Sequence, residues 1–208
     1  MQPIGILGGT FDPVHYGHLH PADEVRRALD LAEVRLIPAG TPPHRATPNV
    51  AATHRLCMVE LAVREFPKLV ADGRELDRPG PSYTVDTLKS IRDEIGNGSL
   101  CLLVGADVFL QIETWHAWRQ LPELAHLVVL RRPDVAVDNW PDWAEARRCD
   151  DPSALAAQPS GFVHFAAITP VDISATRIRD RLRRGEPIDA QVPAPVIEYI
   201  HSHQLYKG

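Results

Sequence analysis

The run Gly8-Gly9-Thr10-Phe11-Asp12-Pro13-Val14-His15-Tyr16-Gly17-His18-Leu19 carries the densest chemistry in the chain. An apolar stretch, Ile4 to Leu7, leads into two glycines, and two histidines three residues apart stand just before a helical pattern. Glycines let backbone N–H groups approach an anion closely. A helix start adds N–H donors and the positive end of a dipole. Residues three apart share a helix face, so His15 and His18 are expected to aim at one group. The layout suits the phosphates of a nucleotide. Neither G-x-x-x-x-G-K-[ST] nor G-x-G-x-x-G occurs, so the loop is neither a Walker A loop nor the dinucleotide fingerprint. Two other readings stay open on these residues alone. One is a plain glycine turn with helix-capping histidines. The other is a metal site of His15, His18 and His20, although zinc needs three or four ligands and no thiolate or carboxylate is spaced to complete the set.

A second basic block runs from Ile173 to Arg184. Ser174 suits a helix N-cap, with Thr176 in the first turn. Of the arginines that follow, Arg177, Arg181 and Arg184 share one face, and Arg179 and Arg183 another. Most read as a solvated charged surface, yet a helix N-terminus beside a guanidinium also makes an anion clamp. His44 and Arg45 sit in a proline-rich loop, Ala39 to Ala52, which alone is an ordinary surface loop; cations on such a loop are able to close over a site. Thr84, after Tyr83, reads as a helix cap, and Trp115 and Trp118 as core. Asp107 follows the apolar run Leu100–Val104, at the strand end where open α/β sheets bind ligands.

The elements that must position these residues alternate in type. Strands are expected at Ile4–Leu7, Val34–Ile37, Leu69–Ala71, Leu100–Val104, Leu127–Leu130 and Val163–Ala166, with a short one at Glu75–Leu76. Helical spacing covers about 17–31, 53–66, 84–95, 174–184 and 195–204, the last two separated by Gly185 and Pro187. The segment Arg131 to Gly161 is rich in Pro, Asp and Ala, and reads as an excursion with one short helix. Trp140 and Trp143 suit the packed side of that helix, and a homo-oligomer contact is the other reading they leave open. Alternation with continuous apolar strands predicts an α/β fold: a Rossmann-like parallel sheet with helices on both faces, in a single domain spanning 1–208.

Bulk properties narrow the function classes. The 208 residues suffice for a sizeable core. A net charge of −5 argues against a general nucleic-acid binder. The longest apolar run, Leu100 to Leu110, is too short to span a membrane and is interrupted by Gly105 and Asp107. Cys57, Cys101 and Cys149 form no C-x-x-C pair, as expected of reduced thiols in a cytoplasmic protein. No signal peptide is expected, and Asn97-Gly98-Ser99 reads as a turn.

Gly8 to Leu19 resembles the H-x-G-H signature of the adenylyltransferase superfamily. Nearly the whole chain is similar to bacterial nicotinate mononucleotide adenylyltransferases, most weakly between Val135 and Gly161. Five blocks match in order: the opening loop, Pro42-Pro43-His44-Arg45, Pro81-Ser82-Tyr83-Thr84, Gly105-Ala106-Asp107 with Thr114-Trp115, and Ile173 to Arg179. The resemblance implies adenylyl transfer from ATP, accompanied by Mg²⁺, to nicotinate mononucleotide. It gives His15, His18 and Arg179 the catalytic roles, with no metal held by protein ligands. Gly8, Gly9, Thr10, Phe11, Gly105, Asp107, Ser174, Thr176 and Arg179 would bind ATP. His44 and Arg45 would reach the phosphates, and Tyr83, Thr84, Trp115 and His116 would hold the nicotinate. His116 stands where the family often has tyrosine. Alternatives within the superfamily are nicotinamide mononucleotide or phosphopantetheine as acceptor; outside catalysis, the alternative is a nucleotide sensor.

Overall fold

The computed structural model describes residues 2–42, 48–131 and 140–207. Six strands, β1 (Ile4–Gly9), β2 (Glu33–Pro38), β3 (Leu69–Ala71), β4 (Leu100–Gly105), β5 (His126–Arg131) and β6 (Val163–Ala167), form one sheet in the order β3-β2-β1-β4-β5-β6. The pairs β1–β4, β4–β5 and β5–β6 are parallel, with Ile4 opposite Leu100, Cys101 opposite His126 and Leu127 opposite Val163. This is the Rossmann-like sheet that the alternation implies. The helices are α1 (Tyr16–Ala28), α2 (Ala52–Ala62), α3 (Thr84–Ile95), α4 (Ala106–Phe109), α5 (Leu121–Leu124), α6 (Asp142–Glu145), α7 (Ala175–Arg183) and α8 (Ala194–Ser202).

The chain forms two compact units. One comprises Met1–Leu7, Glu24–Arg35 and Tyr83–Pro170. Its central strands are buried on both faces, which is why β4 and β5 read as unbroken apolar runs. Gly5 is required by packing: a Cβ there would come within 2.8 Å of Val34 and 2.9 Å of Leu31. Phe109 anchors an aromatic cluster, its ring centroid 5.6 Å from both Trp140 and Trp143 and 6.3 Å from Phe165. Trp118 adds to it at 5.1 Å from Trp143. Both excursion tryptophans are thus packed, and α6 is the short helix expected between 131 and 161. The turn after α3 is fixed by Arg92, which donates to the carbonyls of Gly96, Gly98, Leu124 and Pro159. That accounts for Asn97-Gly98-Ser99 as a turn.

The other unit comprises Gly8–Asp23, Leu36–Ser82 and Val171–Gly208. Its core includes Val14, Leu19, Met58, Val59, Ile178, Val196 and Ile200. Two helix ends here form Schellman motifs. After α7, Glu186 N–H donates to the Arg181 carbonyl and Gly185 to Leu182, with Gly185 at φ 68°. After α8, Leu205 donates to Ile200 and Gln204 to His201, with Gln204 at φ 54°. The expected helix 195–204 therefore stops at Ser202. Likewise α1 ends at Ala28, where Asp30 takes a positive φ and Leu31 N–H reaches back to Arg26. The expected helix 53–66 becomes α2 plus a 3₁₀ turn at Val63–Glu65. The strand expected at Glu75–Leu76 is absent, because Leu76 N–H closes a turn on the Gly73 carbonyl at 2.8 Å.

Candidate active site

The glycine loop leaves β1 and reaches α1 through a tightly determined path. Phe11 is left-handed (φ 50°) and the Asp12–Pro13 peptide is cis. A Cβ on Gly9 would meet the Phe11 ring at 2.9 Å, whereas one on Gly8 would meet nothing within 4 Å. Gly9 therefore makes room for Phe11, and Gly8 borders open space. The buried Phe11 ring stands edge-on to His18, centroids 5.0 Å apart. The His15 and His18 rings share a face, as their spacing predicts, and stack at 3.8 Å with 25° between planes. Gly17 lies between them because a Cβ there would come within 2.9 Å of the His15 ring and 3.2 Å of the Ile173 carbonyl oxygen. His15 is buried, and burial lowers its pKa to about 4, so the imidazole is neutral near pH 7. Its Nδ1 is buried with no hydrogen-bond partner.

One expectation is corrected at this helix start. Three of the first four N–H groups of α1 are already bound: Tyr16 N–H to the Gln191 carbonyl at 2.9 Å, and His18 and Leu19 N–H to that of His15. His20, third member of the metal reading, packs on Tyr16 (4.9 Å) and Phe66 (5.5 Å) instead.

Arg179 comes to the same loop from α7. Its Nη1 donates to the Asp12 carbonyl at 2.7 Å and its Nη2 to Thr176 Oγ1 at 3.3 Å. Three other arginines of this segment behave as surface charges: Arg177 pairs with Asp172, Arg183 with Asp180 (2.6 Å), and Arg184 with Glu186 (2.6 Å); Arg181 is half-buried, its Nε 3.6 Å from Glu186. Ser174 occupies the N-cap position, but its side chain makes no capping hydrogen bond.

Three residues that the sequence reading missed hold this arrangement. The Asp12 carboxylate is buried; its Oδ1 accepts from Tyr206 Oη at 2.8 Å, and its Oδ2 from the backbone N–H and side-chain amide of Asn49 at 2.7 and 3.0 Å. Arg55, buried on α2, donates to the carbonyls of Thr10 and Ala39, both at 2.6 Å, and of Gly40 at 3.3 Å. Burial lowers its pKa, and Asp12 acts against that shift. An arginine amid helical apolar spacing was the one available signal for Arg55; nothing marked Tyr206.

In the other unit, Tyr83 and His116 bring their rings to 4.3 Å. Tyr83 is the N-cap of α3 and Thr84 its first residue, so the cap lies one position earlier than expected. Trp115 is half-buried and His116 exposed. A Cβ on Gly105 would stand 2.8 Å from Asp107 Oδ1, so the bare glycine admits that carboxylate at the end of β4. His44 and Arg45 lie outside the described residues.

Comparison with known proteins identifies the family. The cytidylyltransferase-like family model matches residues 6–181. A probable nicotinate-nucleotide adenylyltransferase of Methylococcus capsulatus is 50% identical over 207 residues, covering 98% of this chain and 99% of that protein. One of Halorhodospira halophila is 51% identical over 199 residues, covering 94% and 91%. The structure of Plasmodium falciparum nicotinic acid mononucleotide adenylyltransferase complexed with NaAD superposes with a TM-score of 0.75 at 18% identity, over 99% of this chain and 98% of that one, and shares the fold. The chain belongs to the cytidylyltransferase-like family and, within it, to the nicotinate-nucleotide adenylyltransferases.

Proposed function

We propose that this chain transfers the adenylyl group of ATP to nicotinate mononucleotide, giving nicotinate adenine dinucleotide and pyrophosphate. A 5′-phosphate oxygen of the mononucleotide attacks the α-phosphorus of ATP. The bond from that phosphorus to the α–β bridging oxygen breaks, and its electron pair leaves with pyrophosphate. The attacking oxygen is already ionised, so alignment and charge stabilisation are the main tasks. The carrying observation is the convergence on one loop of the stacked His15–His18 pair and the Arg179 guanidinium.

His18 stabilises charge developing on the α-phosphate. His15, neutral because it is buried, contributes a hydrogen bond rather than a charge. Arg179 has five N–H donors and attracts the departing pyrophosphate. Gly8, Gly9 and Thr10 offer backbone to the phosphates, with Ser174 and Thr176 adding hydroxyls. The Phe11 side chain, being buried, serves as a wall for His18. Asp107 accepts from ribose hydroxyls, and Gly105 gives the nucleotide access to the strand end. Tyr83, Thr84, Trp115 and His116 receive the pyridine ring and its carboxylate, for which the start of α3 is suited; His44 and Arg45 complete the phosphate contacts.

Among the described residues no group of three or more His, Cys, Asp or Glu side chains is set to hold a cation. We assign Mg²⁺ to the ATP phosphates, entering as MgATP, the common mode for this ion. No helix of the described residues is long and apolar enough to cross a membrane. The free cysteines support a cytoplasmic setting. The test is pyrophosphate release on mixing the chain with MgATP and nicotinate mononucleotide. Release is expected, with kcat/KM higher than for the amide; no release with either mononucleotide refutes the proposal.

A further inference from the structure

We infer that Tyr206 is a positioning residue for adenylyl transfer: its hydroxyl, bonded to Asp12, sets the loop that presents His15 and His18. The inference rests on the function proposed above. Asp12 lies three residues before His15 and is gripped from several directions. Tyr206 holds Oδ1, Asn49 holds Oδ2 twice, and Arg179 holds the carbonyl. Displacing the carboxylate must therefore move the segment leading to His15.

The chain makes a specific path to deliver the phenol there. The Schellman reversal after α8 uses Gln204 at φ 54°, and Tyr206 itself adopts φ 62°. A bulky aromatic residue rarely takes that conformation, and such strain persists only where the surroundings over-determine it. Tyr206 is buried, and its phenol pKa is raised by burial first and by the Asp12 carboxylate second. It is thus a protonated donor across the working pH range. The Arg55 guanidinium, which holds the Thr10 carbonyl in the same loop, is attracted by the Asp12 carboxylate.

The experiment compares full-length variants by pyrophosphate release, with thermal unfolding recorded for each. Tyr206→Phe removes one oxygen and leaves the ring. It should lower kcat about 10- to 100-fold, the scale of an ångström-level misplacement of catalytic groups, with KM for ATP and mononucleotide little changed. Asn49→Ala, which takes a donor from the other carboxylate oxygen, should lower kcat in the same sense, and it carries the test where Tyr206→Phe fails to fold. Val196→Ala opens a cavity under α8, away from the turn and from Asp12; it should lower the melting temperature while kcat stays near wild type. Wild-type kcat in a folded Tyr206→Phe overturns the inference, as does wild-type kcat in Asn49→Ala where Tyr206→Phe fails to fold. An equal loss in Val196→Ala overturns it too, since general tail packing would then explain the effect. A wild-type chain that releases no pyrophosphate refutes the proposed function, and this inference with it; an active wild type with unaffected variants refutes the inference alone.

Discussion

Replacing Gly17 by alanine isolates the geometry of the histidine pair, since it removes no functional group. The added methyl would lie 2.9 Å from His15 Cε1 and Nδ1, and 3.2 Å from the Ile173 carbonyl oxygen. Ordinary contact begins at 3.4 Å, so the His15 ring must retreat by about half an ångström. It cannot simply swing away, being buried and stacked on His18. Stability falls by about 0–2.5 kcal/mol in net terms: overpacking costs about 1–3 kcal/mol, partly offset by the about 0.5–1 kcal/mol that alanine gains over glycine in a helix. Catalysis is more sensitive, because a misplacement of about 1 Å can cost about 100-fold. We therefore expect kcat for pyrophosphate release to fall about 10- to 100-fold, or about 1.4–2.7 kcal/mol in the barrier, while the melting temperature drops by a few degrees. Wild-type kcat in Gly17→Ala would refute the claim that the His15 ring position limits the reaction.

Three further outcomes are expected. His18→Ala should lower kcat by about 100-fold or more, the effect of losing a donor to developing charge; near-normal turnover in a steady-state assay rejects its role. Arg55→Leu leaves the Thr10 and Ala39 carbonyls without their buried donor, and urea titration should show a loss of about 2–4 kcal/mol; a loss under about 1 kcal/mol contradicts the clamp described for it. Burial holds the pKa of His15 at about 4 in the folded protein, against the ordinary 6.5 of an exposed histidine in the unfolded chain. Between those values the unfolded chain binds a proton that the native state does not, so stability rises with pH. Acidification across that window should remove about 3 kcal/mol through this residue. Denaturant midpoints for wild type and His15→Gln should converge on acidification, and parallel curves would show that His15 is not buried neutral.

What could be read from the sequence was whatever depends on local chemistry. Continuous apolar runs gave β4 and β5, and the three-residue spacing of His15 and His18 gave their shared face, though not the stacking of their rings. Gly185 marked the end of α7 because a glycine readily takes the left-handed conformation a Schellman turn needs. The same turn was invisible after α8 and α1, where Gln204 and Asp30 take it at a cost that tertiary packing offsets. Asp12, Arg55 and Tyr206 were missed for a related reason. Each is meaningful only through partners distant in sequence, and the Tyr206–Asp12 bond spans 194 positions. The helix-start donors of α1 were misjudged on the same account, since the Gln191 carbonyl that occupies Tyr16 N–H arrives from the far end of the chain.

The aromatic cluster around Phe109 has an optical consequence. All four tryptophans (115, 118, 140 and 143) lie between Tyr83 and Pro170, while three of the four tyrosines, Tyr16, Tyr199 and Tyr206, lie in the other unit. Excitation at the red edge, where only indole absorbs, therefore follows melting of one half of the molecule. Phenol absorbance follows mainly the half bearing the histidine pair, so one unlabelled sample reports the two halves in separate colours.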